Sequence, residues 1–255
     1  MKFTNLVPNE PTWLRSHVIL FGKCGSFAYG TATESSDYDF KGICIPPIDY
    51  FLGLNYFEGY DKNGGKNFKN KPGDIDVNVI HISKFVREAM KGIPNNLEML
   101  CLEKEDYLYL DEFGEELIAM RKHFFSKQIM KKYGGYAKSQ SNVIRNSRSN
   151  GKGRMDLVEL YGYDTKAFMH TVRLYEMAIE ILLTGDMKAK RPNADFLIQL
   201  RRGYYSLKEA LAYIEKLEEK LKRAYEESTL PESPDTEFIN RWLSDFNMRY
   251  LLKAS

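Results

Sequence analysis

Residues 25–39 read GSFAYGTATESSDYD, and they follow a short apolar run, HVILF, at residues 17–21. A β-branched apolar run that ends at glycine predicts a strand followed by a tight turn. Within that turn, Gly25 lets backbone N–H groups approach an anion closely, and Ser26 adds a hydroxyl donor. Gly30 provides a second point of close approach. The first part of the stretch therefore has the composition of a phosphate-binding turn.

Two aspartates lie at the other end of the same stretch. Asp37 and Asp39 open a second predicted strand, residues 37–45, which stops at Pro46 and Pro47. Side chains two residues apart on a strand point to the same face, and two such carboxylates are costly unless a divalent cation lies between them. Each feature alone is common in proteins that bind no ligand. Together, after an apolar strand, they predict magnesium-assisted attack on a nucleoside triphosphate.

The rest of the pattern separates a mixed first half from a helical second half. Residues 74–82 alternate as a third strand, and residues 59–73, rich in Gly, Asn and Lys, predict a mobile loop or a hairpin tip. From about Asp111 onward the apolar residues recur with helical spacing. We therefore expect an α+β chain in which a small mixed-sheet domain with flanking helices, residues 1–125, precedes an all-helical domain, residues 126–255.

Local signals predict where several helices begin and end. Asn95, just after a proline, is a predicted N-cap. A long helix is predicted over residues 164–183, with Gly185 as the residue that ends it. Ser206 and Glu209 have the spacing of a capping box at the start of another helix.

The composition excludes several classes of protein. Of 255 residues, 43% are hydrophobic and 28% are charged, which is typical of a globular chain and unlike a collagen-like or disordered one. The 37 basic and 35 acidic residues nearly cancel, so the total charge indicates no particular partner. No apolar stretch is long enough to span a bilayer, and the first ten residues lack the apolar region of a signal peptide. Because three scattered cysteines suit a reducing compartment, we expect a cytoplasmic protein without a membrane partner.

The pattern GSxxxGxxxxxSDxD resembles the signature of the polymerase-beta-like nucleotidyltransferase superfamily. It is formed by Gly25, Ser26, Gly30, Ser36, Asp37 and Asp39. The resemblance is tightest to a bacterial and phage branch of predicted nucleotidyltransferases, some of which are associated with RNA ligases and RNA repair. Further segments that match this branch are AYGT at residues 28–31, PNNLEML at 94–100, YDTKAFMHTVRLYEMAIEILLTG at 163–185 and STLPESPD at 228–235. The resemblance thus extends over nearly the whole chain.

This resemblance implies a nucleoside triphosphate substrate, such as ATP, and two magnesium ions held by three carboxylates. Asp37 and Asp39 would bridge both ions, and a third carboxylate on the neighbouring strand would lower the pKa of the acceptor hydroxyl and orient it. Asp76 is the better candidate for the third, because it lies further into its strand than Asp74, the alternative on the same face. The same resemblance places five residues at the nucleotide: Gly25, Ser26, Tyr29, Gly30 and Ser36.

Residues 117–155 contain no acidic residue, although the chain as a whole is nearly neutral. Ten cations fall there: Arg121, Lys122, Lys127, Lys131, Lys132, Lys138, Arg145, Arg148, Lys152 and Arg154. This segregation predicts a local basic surface, and interleaved tyrosines suit a stacked base or a bound phosphate. The simpler interpretation is a solvated helix face. The residues selected for acceptor binding are Lys132, Tyr136, Lys138, Gln140 and Arg145.

A second group of potential cations lies on the long predicted helix. Lys166, His170 and Arg173 are spaced i, i+4 and i+7, and therefore share one stripe of that helix. One interpretation is that the stripe faces the cleft and binds the triphosphate. The other is a histidine at the edge of the core between two long side chains whose charged ends reach solvent. The match of TKxxxHxxR to the family favours nucleotide binding.

Three functions follow from these features. The first is a magnesium-dependent nucleotidyltransferase that moves a nucleoside monophosphate from a nucleoside triphosphate to an acceptor hydroxyl on an RNA end. The second keeps this chemistry but transfers to a protein side chain or a small molecule. The third is a non-catalytic nucleotide-binding module, which the intact Asp37 and Asp39 argue against.

Overall fold

The computed structural model describes residues 1–62, 73–146 and 154–254. The described residues contain five strands: β1 (Val18–Lys23), β2 (Tyr38–Cys44), β3 (Gly59–Asp61), β4 (Ile75–His81) and β5 (Tyr107–Leu110). They also contain helices α1 (Phe3–Leu6), α2 (Gly25–Tyr29), α3 (Asp49–Leu52), α4 (Ile82–Met90), α5 (Pro94–Met99), α6 (Glu112–Ala119), α7 (Gln128–Asn146), α8 (Met155–Tyr161), α9 (Thr165–Thr184), α10 (Ala194–Arg201), α11 (Leu207–Glu227) and α12 (Thr236–Ala254). The chain is therefore α+β, as expected.

The strands form one mixed sheet in the order β3-β4-β2-β1-β5. Only the pair formed by β2 and β4 is parallel; the other described pairs are antiparallel. The parallel register places Asp39 opposite Asp76. Since the two strands run in the same direction, their first residues meet at one end of the sheet. This pairing brings the predicted acidic residues of both strands together.

Alternation along the strands gives the sheet two different faces. Phe40 of β2 and Val77 of β4 belong to a cluster on the face covered by the N-terminal segment. Ile43 and Ile80 belong to the larger core that the helices build against the opposite face. Because side chains alternate along a strand, Asp39 lies on the helix-covered face with Ile43. The acidic end of the sheet thus faces the helical half.

The helical half is organised around α9, which packs against α7, α10 and α11. Its N-terminus is capped by Asp164, whose carboxylate accepts the backbone N–H of Ala167 at 2.9 Å. Gly185, with φ of 66°, ends it in the left-handed conformation. The predicted helix end at Gly185 is confirmed, and so is the predicted capping box formed by Ser206 and Glu209.

Some local expectations need correction. Asn95 is not an N-cap: α5 begins one residue earlier with Pro94, whose missing N–H costs nothing in the first turn. Part of the predicted loop over residues 59–73 is strand β3, and the rest of that loop, residues 63–72, lies outside the described residues. Strand β5 was not predicted from the sequence.

We propose that the two domains divide at residues 125 and 126, between the last strand and α7. Phe125 is buried in a core that contains side chains from the sheet and from α7, α9 and α11, so the two parts share one hydrophobic cluster.

Across residues 1–62, 73–146 and 154–254, no helix combines the length and the apolar composition needed to cross a lipid bilayer.

Candidate active site

Three carboxylates meet at the end of the sheet where β2 and β4 begin. Asp39 and Asp76 are register partners, and Asp37 precedes Asp39 by two residues. One oxygen from each of the three lies within 4.8 Å of the others, and all three side chains are half-buried. Asp74 is not in this group, which favours Asp76 as the third carboxylate.

The electrostatics of the cluster suit a divalent cation. Burial and, after it, like-charge repulsion from Asp37 and Asp76 together raise the pKa of Asp39 to about 6, while Lys166 acts in the opposite direction. Carboxylate oxygens are the ligands that Mg²⁺ prefers, and a cation among them would relieve the repulsion. The donor set and its crowding therefore fit the predicted metal.

Gly25 and Ser26 form the first residues of α2, directly beside these carboxylates. Gly25 has a φ of 60°, and a Cβ at this position would lie 2.2 Å from Asp39 Oδ2. Any side chain here would displace the carboxylate, so close approach and backbone conformation both require glycine. Ser26 Oγ is buried and has no hydrogen-bond partner within the described part of the chain. A buried hydroxyl without a partner is costly and suits a ligand that accepts its hydrogen bond.

Lys166, near the start of α9, lies opposite the carboxylates. Burial lowers the pKa of Lys166, and Arg154 and Arg201 lower it further, while Asp37 and Asp39 act in the opposite direction. Arg201 lies near the same group, since Asp37 and Arg154 both affect its pKa. Lys166 and Arg201 thus lie within electrostatic reach of the acidic cluster, and Arg154, which pairs with Asp164 at 3.2 Å, lies near both of them.

His170 does not add a fourth charge. Burial, reinforced by the neighbouring Arg173 and Lys166, lowers the pKa of His170 to about 3. The imidazole is consequently neutral near neutral pH. Of the three cations expected on this stripe, Lys166 lies within electrostatic reach of the carboxylates, and His170 is uncharged.

Arg173 lies inside the core, and its placement does not support the predicted contact with nucleotide. Its side chain is 6% exposed and donates from Nη1 to Glu98 Oε1 at 2.9 Å. The guanidinium lies 3.7 Å from the centre of the Tyr29 ring, and the Tyr29 hydroxyl donates to the other oxygen of Glu98. Tyr29 is thus also part of the core, at 6% exposure. These three residues connect α9, α5 and the end of α2.

Gly30 and Ser36 shape the backbone on either side of the connection between α2 and β2. Gly30, with φ of 74°, ends α2, and a Cβ there would contact Ala194 of α10 at 3.4 Å. Ser36 Oγ accepts the backbone N–H of Thr33 at 2.9 Å, which closes a turn just before Asp37. Gly30 and Ser36 therefore shape the backbone of the connection that carries the aspartates, and neither is shown in contact with a ligand.

The residues selected for acceptor binding lie along α7. Its buried face contains Tyr133 and Ala137, which pack in the core, and not the predicted acceptor residues. Lys138 and Arg145 are exposed and lie two turns apart on the outer face. The remaining members are also on α7: Lys132 and Gln140, which are half-buried, and Tyr136, which is exposed. Arg148 and Lys152 of the basic segment lie outside the described residues.

The family model of RlaP, described as an RNA repair pathway DNA polymerase beta family, matches residues 9–245. The chain belongs to this family. It is also 33% identical over 121 residues to an uncharacterized 38.9 kDa protein in the nrdC-mobD intergenic region of Enterobacteria phage T4. That match spans 46% of this chain and 36% of the phage protein.

A solved structure, the nucleotidyltransferase-like protein from Exiguobacterium sibiricum 255-15, is similar at 11% identity and a TM-score of 0.31. The similarity covers 82% of this chain and 69% of that one. Membership in the RlaP family supports nucleotidyl transfer as the general class of reaction.

Within this RlaP family chain, Arg201 is a candidate functional residue that the sequence pattern did not identify. Its place near Asp37 follows from how α10 packs against α9, which no local motif encodes. Arg154 was counted in the basic segment but not assigned to the nucleotide. The Arg-Arg pair at residues 201 and 202, ahead of Gly203, is the sequence signal that could have drawn attention to α10.

Proposed function

We propose that the protein is a magnesium-dependent nucleotidyltransferase that transfers a nucleoside monophosphate from a nucleoside triphosphate, such as ATP, to a hydroxyl on an RNA end. The observation that carries this proposal is the group formed by Asp37, Asp39 and Asp76, with their oxygens within 4.8 Å of one another. Lys166 and Arg201 lie within electrostatic reach of this acidic group. An acidic metal site beside cations is what a triphosphate requires.

Asp37, Asp39 and Asp76 are the residues that would hold two Mg²⁺ ions. When bound, magnesium supplies charge neutralisation to the phosphates and lowers the pKa of a coordinated hydroxyl. The raised pKa of Asp39, caused first by burial and then by its two acidic neighbours, supports such a role because a cation would relieve that repulsion.

The side chains around the carboxylates would bind and orient the triphosphate. The Ser26 hydroxyl, buried and without a partner in the described residues, would donate to a phosphate oxygen. Lys166 and Arg201 would offset the phosphate charge from the side of the helical half. Gly25 keeps this approach open because it has no side chain.

Transfer forms one bond and breaks one. The acceptor oxygen bonds to the α-phosphorus, the bond between the α-phosphorus and the bridging oxygen breaks, and pyrophosphate leaves. The hydroxyl proton passes to a carboxylate of the cluster, for which we propose Asp76, and then to solvent.

The exposed cations of α7, with Tyr136 and Gln140, would contact the RNA backbone. The three free cysteines suit the reducing cytoplasm, where we place this reaction.

The experiment that tests the proposal follows a label on the α-phosphate. Protein, Mg²⁺, each α-labelled triphosphate and a short RNA are incubated, and the labelled product is identified. We expect labelled RNA, abolished by Asp37→Ala and retained by the matched control Asp74→Asn. Ser26→Ala should weaken triphosphate binding by roughly tenfold, because it removes one hydrogen bond to a charged group.

Other outcomes contradict specific parts of the proposal. Label on a protein or a small molecule would replace the RNA acceptor while keeping the chemistry. Tight binding of triphosphate without turnover by any acceptor would indicate a non-catalytic nucleotide-binding module. Equal activity of wild type and Asp37→Ala would contradict the carboxylate assignment itself.

A further inference from the structure

A cleft of about 1060 Å³ is lined by residues of both halves of the molecule, among them the two chain neighbours of Asp37. One wall is the connection between α2 and β2, which includes Ser36 and Tyr38, the residues on either side of Asp37. The opposite wall is α10 and its end, with Ile198 and Arg202. The volume lies at the upper end of the roughly 300–1,000 Å³ of small-molecule pockets, so the cleft has room for a nucleotide of a bound strand.

The lining of this cleft combines an aromatic surface with hydroxyl groups and a cation. Phe27 and Tyr38 stack with ring centres 4.5 Å apart and planes inclined by 14°. Thr33 and Ser35 contribute hydroxyls on the same wall, and Arg202 is exposed. Aromatic rings, hydroxyls and arginine are the groups that bind bases, sugars and phosphates of single-stranded nucleic acid.

One acidic residue, Glu34, also lines the cleft. It is exposed, and the exposed Arg202 on the opposite wall balances its charge. A lone carboxylate among hydroxyls does not exclude a nucleic acid, since it can accept hydrogen bonds from a sugar hydroxyl or a base amino group.

The position of the aromatic pair indicates which nucleotide it would hold. Tyr38 lies between Asp37 and Asp39 in sequence, so its side chain leaves β2 on the opposite face from the two carboxylates. A base on this pair is thus displaced from the reacting atoms around the edge of the sheet. The incoming triphosphate would bind at the carboxylates through its phosphates. A nucleotide of the acceptor strand, one or two positions before the reacting end, could instead bind beyond that edge.

We propose that this cleft binds the acceptor: a single-stranded RNA segment just upstream of the reacting end, with a base stacked on Phe27 and Tyr38 and its phosphate at Arg202. This inference rests on the proposed function, because it takes the carboxylates as the reaction centre. It adds a subsite on α10 and on the connection before Asp37, separate from the basic face of α7.

The test measures binding and position independently of turnover. A fluorescein-labelled RNA hexamer is titrated with full-length protein in Mg²⁺ without triphosphate, and a fluorescent ATP analogue is titrated separately. We expect Phe27→Leu and Arg202→Ala each to weaken hexamer binding by about fivefold or more, with the affinity for the ATP analogue unchanged. Arg223→Ala, an exposed arginine on α11, is the matched control.

A photoreactive hexamer gives the position directly. With 4-thiouridine at the second or third position from the 3′ end, irradiation should crosslink the peptide of residues 24–41, which trypsin releases between Lys23 and Lys41 and which contains both Phe27 and Tyr38. Melting curves would check that Phe27→Leu is folded. Arg202→Ala, at an exposed site, is a second variant that should fold normally.

Each remaining outcome decides against one of the two proposals. Unchanged hexamer binding in both variants, crosslinks confined to α7, or a loss of ATP-analogue affinity instead would overturn the cleft assignment. Label transfer to a non-RNA acceptor without hexamer binding would also overturn it, while the transfer chemistry stands. Hexamer binding and crosslinking at the cleft without any nucleotide transfer would overturn the proposed function and leave the cleft as an RNA site.

Discussion

At the scale of single residues, the site depends on how closely Gly25 approaches Asp39. The carboxylate occupies the space that a side chain at Gly25 would need, and this proximity contributes to the burial of Asp39. Burial and two acidic neighbours raise the pKa of Asp39 to about 6. A carboxyl whose pKa is raised by folding stabilises the folded protein only while it is protonated. The arrangement is therefore destabilising at neutral pH unless a cation is bound.

Asp39→Asn should make the metal-free protein more stable than wild type at neutral pH. The sign follows from the pKa of Asp39, which is about 6 in the folded protein against an ordinary value of 3.8: its contribution is fully present below the ordinary value and is lost as the pH rises through 6. The advantage of the variant in thermal unfolding should thus shrink as the pH falls from 6 towards 4. Unfolding is measured with a chelator present.

The control for this prediction is Asp74→Asn, which removes a carboxylate outside the three-residue group. It should follow the pH profile of the wild type. Adding Mg²⁺ should stabilise the wild type more than Asp39→Asn, because ligands that bind only the folded state raise its stability. Identical pH profiles for wild type and Asp39→Asn would contradict the assigned pKa.

The residue scale is also where sequence reasoning was most informative. Asp37 and Asp39 are two apart on a strand, so their shared face follows from local geometry alone. The role of Asp76 depends on the pairing of β2 with β4, which the family resemblance implied and which alternation along the strands alone could not predict. The missing partner of Ser26 Oγ could not be predicted, since burial of a single atom depends on the packing of the whole site.

At the scale of elements, α9 passes from the active site into the core within three turns. Lys166 is half-buried and within electrostatic reach of the carboxylates, whereas the side chain of Arg173 is 6% exposed and pairs with Glu98. Helical spacing correctly put both on one stripe, but it carries no information on what covers each turn. Glu98 is 75 residues away in sequence, so its pairing with Arg173 has no local signal. The sequence therefore predicted that the two residues share one face of α9, but it did not predict that Arg173 is buried.

Arg173→Met should destabilise the protein by about 3–5 kcal/mol, because it leaves the buried Glu98 carboxylate without its cation. The double variant Arg173→Met/Glu98→Gln should recover part of that loss, since the uncompensated charge is gone. Denaturant unfolding measures both. The comparison variant is Arg121→Met, which breaks a half-exposed pair with Asp186 and should cost about 0–1 kcal/mol. Similar losses for the two single variants would show that Arg173 is not a buried partner of Glu98.

At the scale of the whole molecule, the distribution of charge matters more than its total. The chain has a net charge of +2, yet its acid-free segment presents exposed cations on α7, while the end of the sheet presents three carboxylates. The total charge therefore predicts little about partners, and the hypothesis of a polyanion-binding surface rests on where the charges are located. The proposed domains, residues 1–125 and 126–255, would then contribute opposite charges to one reaction.

Removal of charge from α7 should distinguish a nucleic-acid surface from a solvated helix face. Lys138→Ala and Arg145→Ala should each weaken binding of a single-stranded RNA and lower the slope of log K against log salt by about 0.7, because one fewer counterion is released. Both side chains are exposed, so the free energy of unfolding should change by no more than about 0.5 kcal/mol. Lys216→Ala on the exposed face of α11 is the matched control and should leave the slope unchanged. An unchanged slope in the α7 variants as well would assign these cations to solvent alone, and the acceptor would then depend on the cleft beside Asp37.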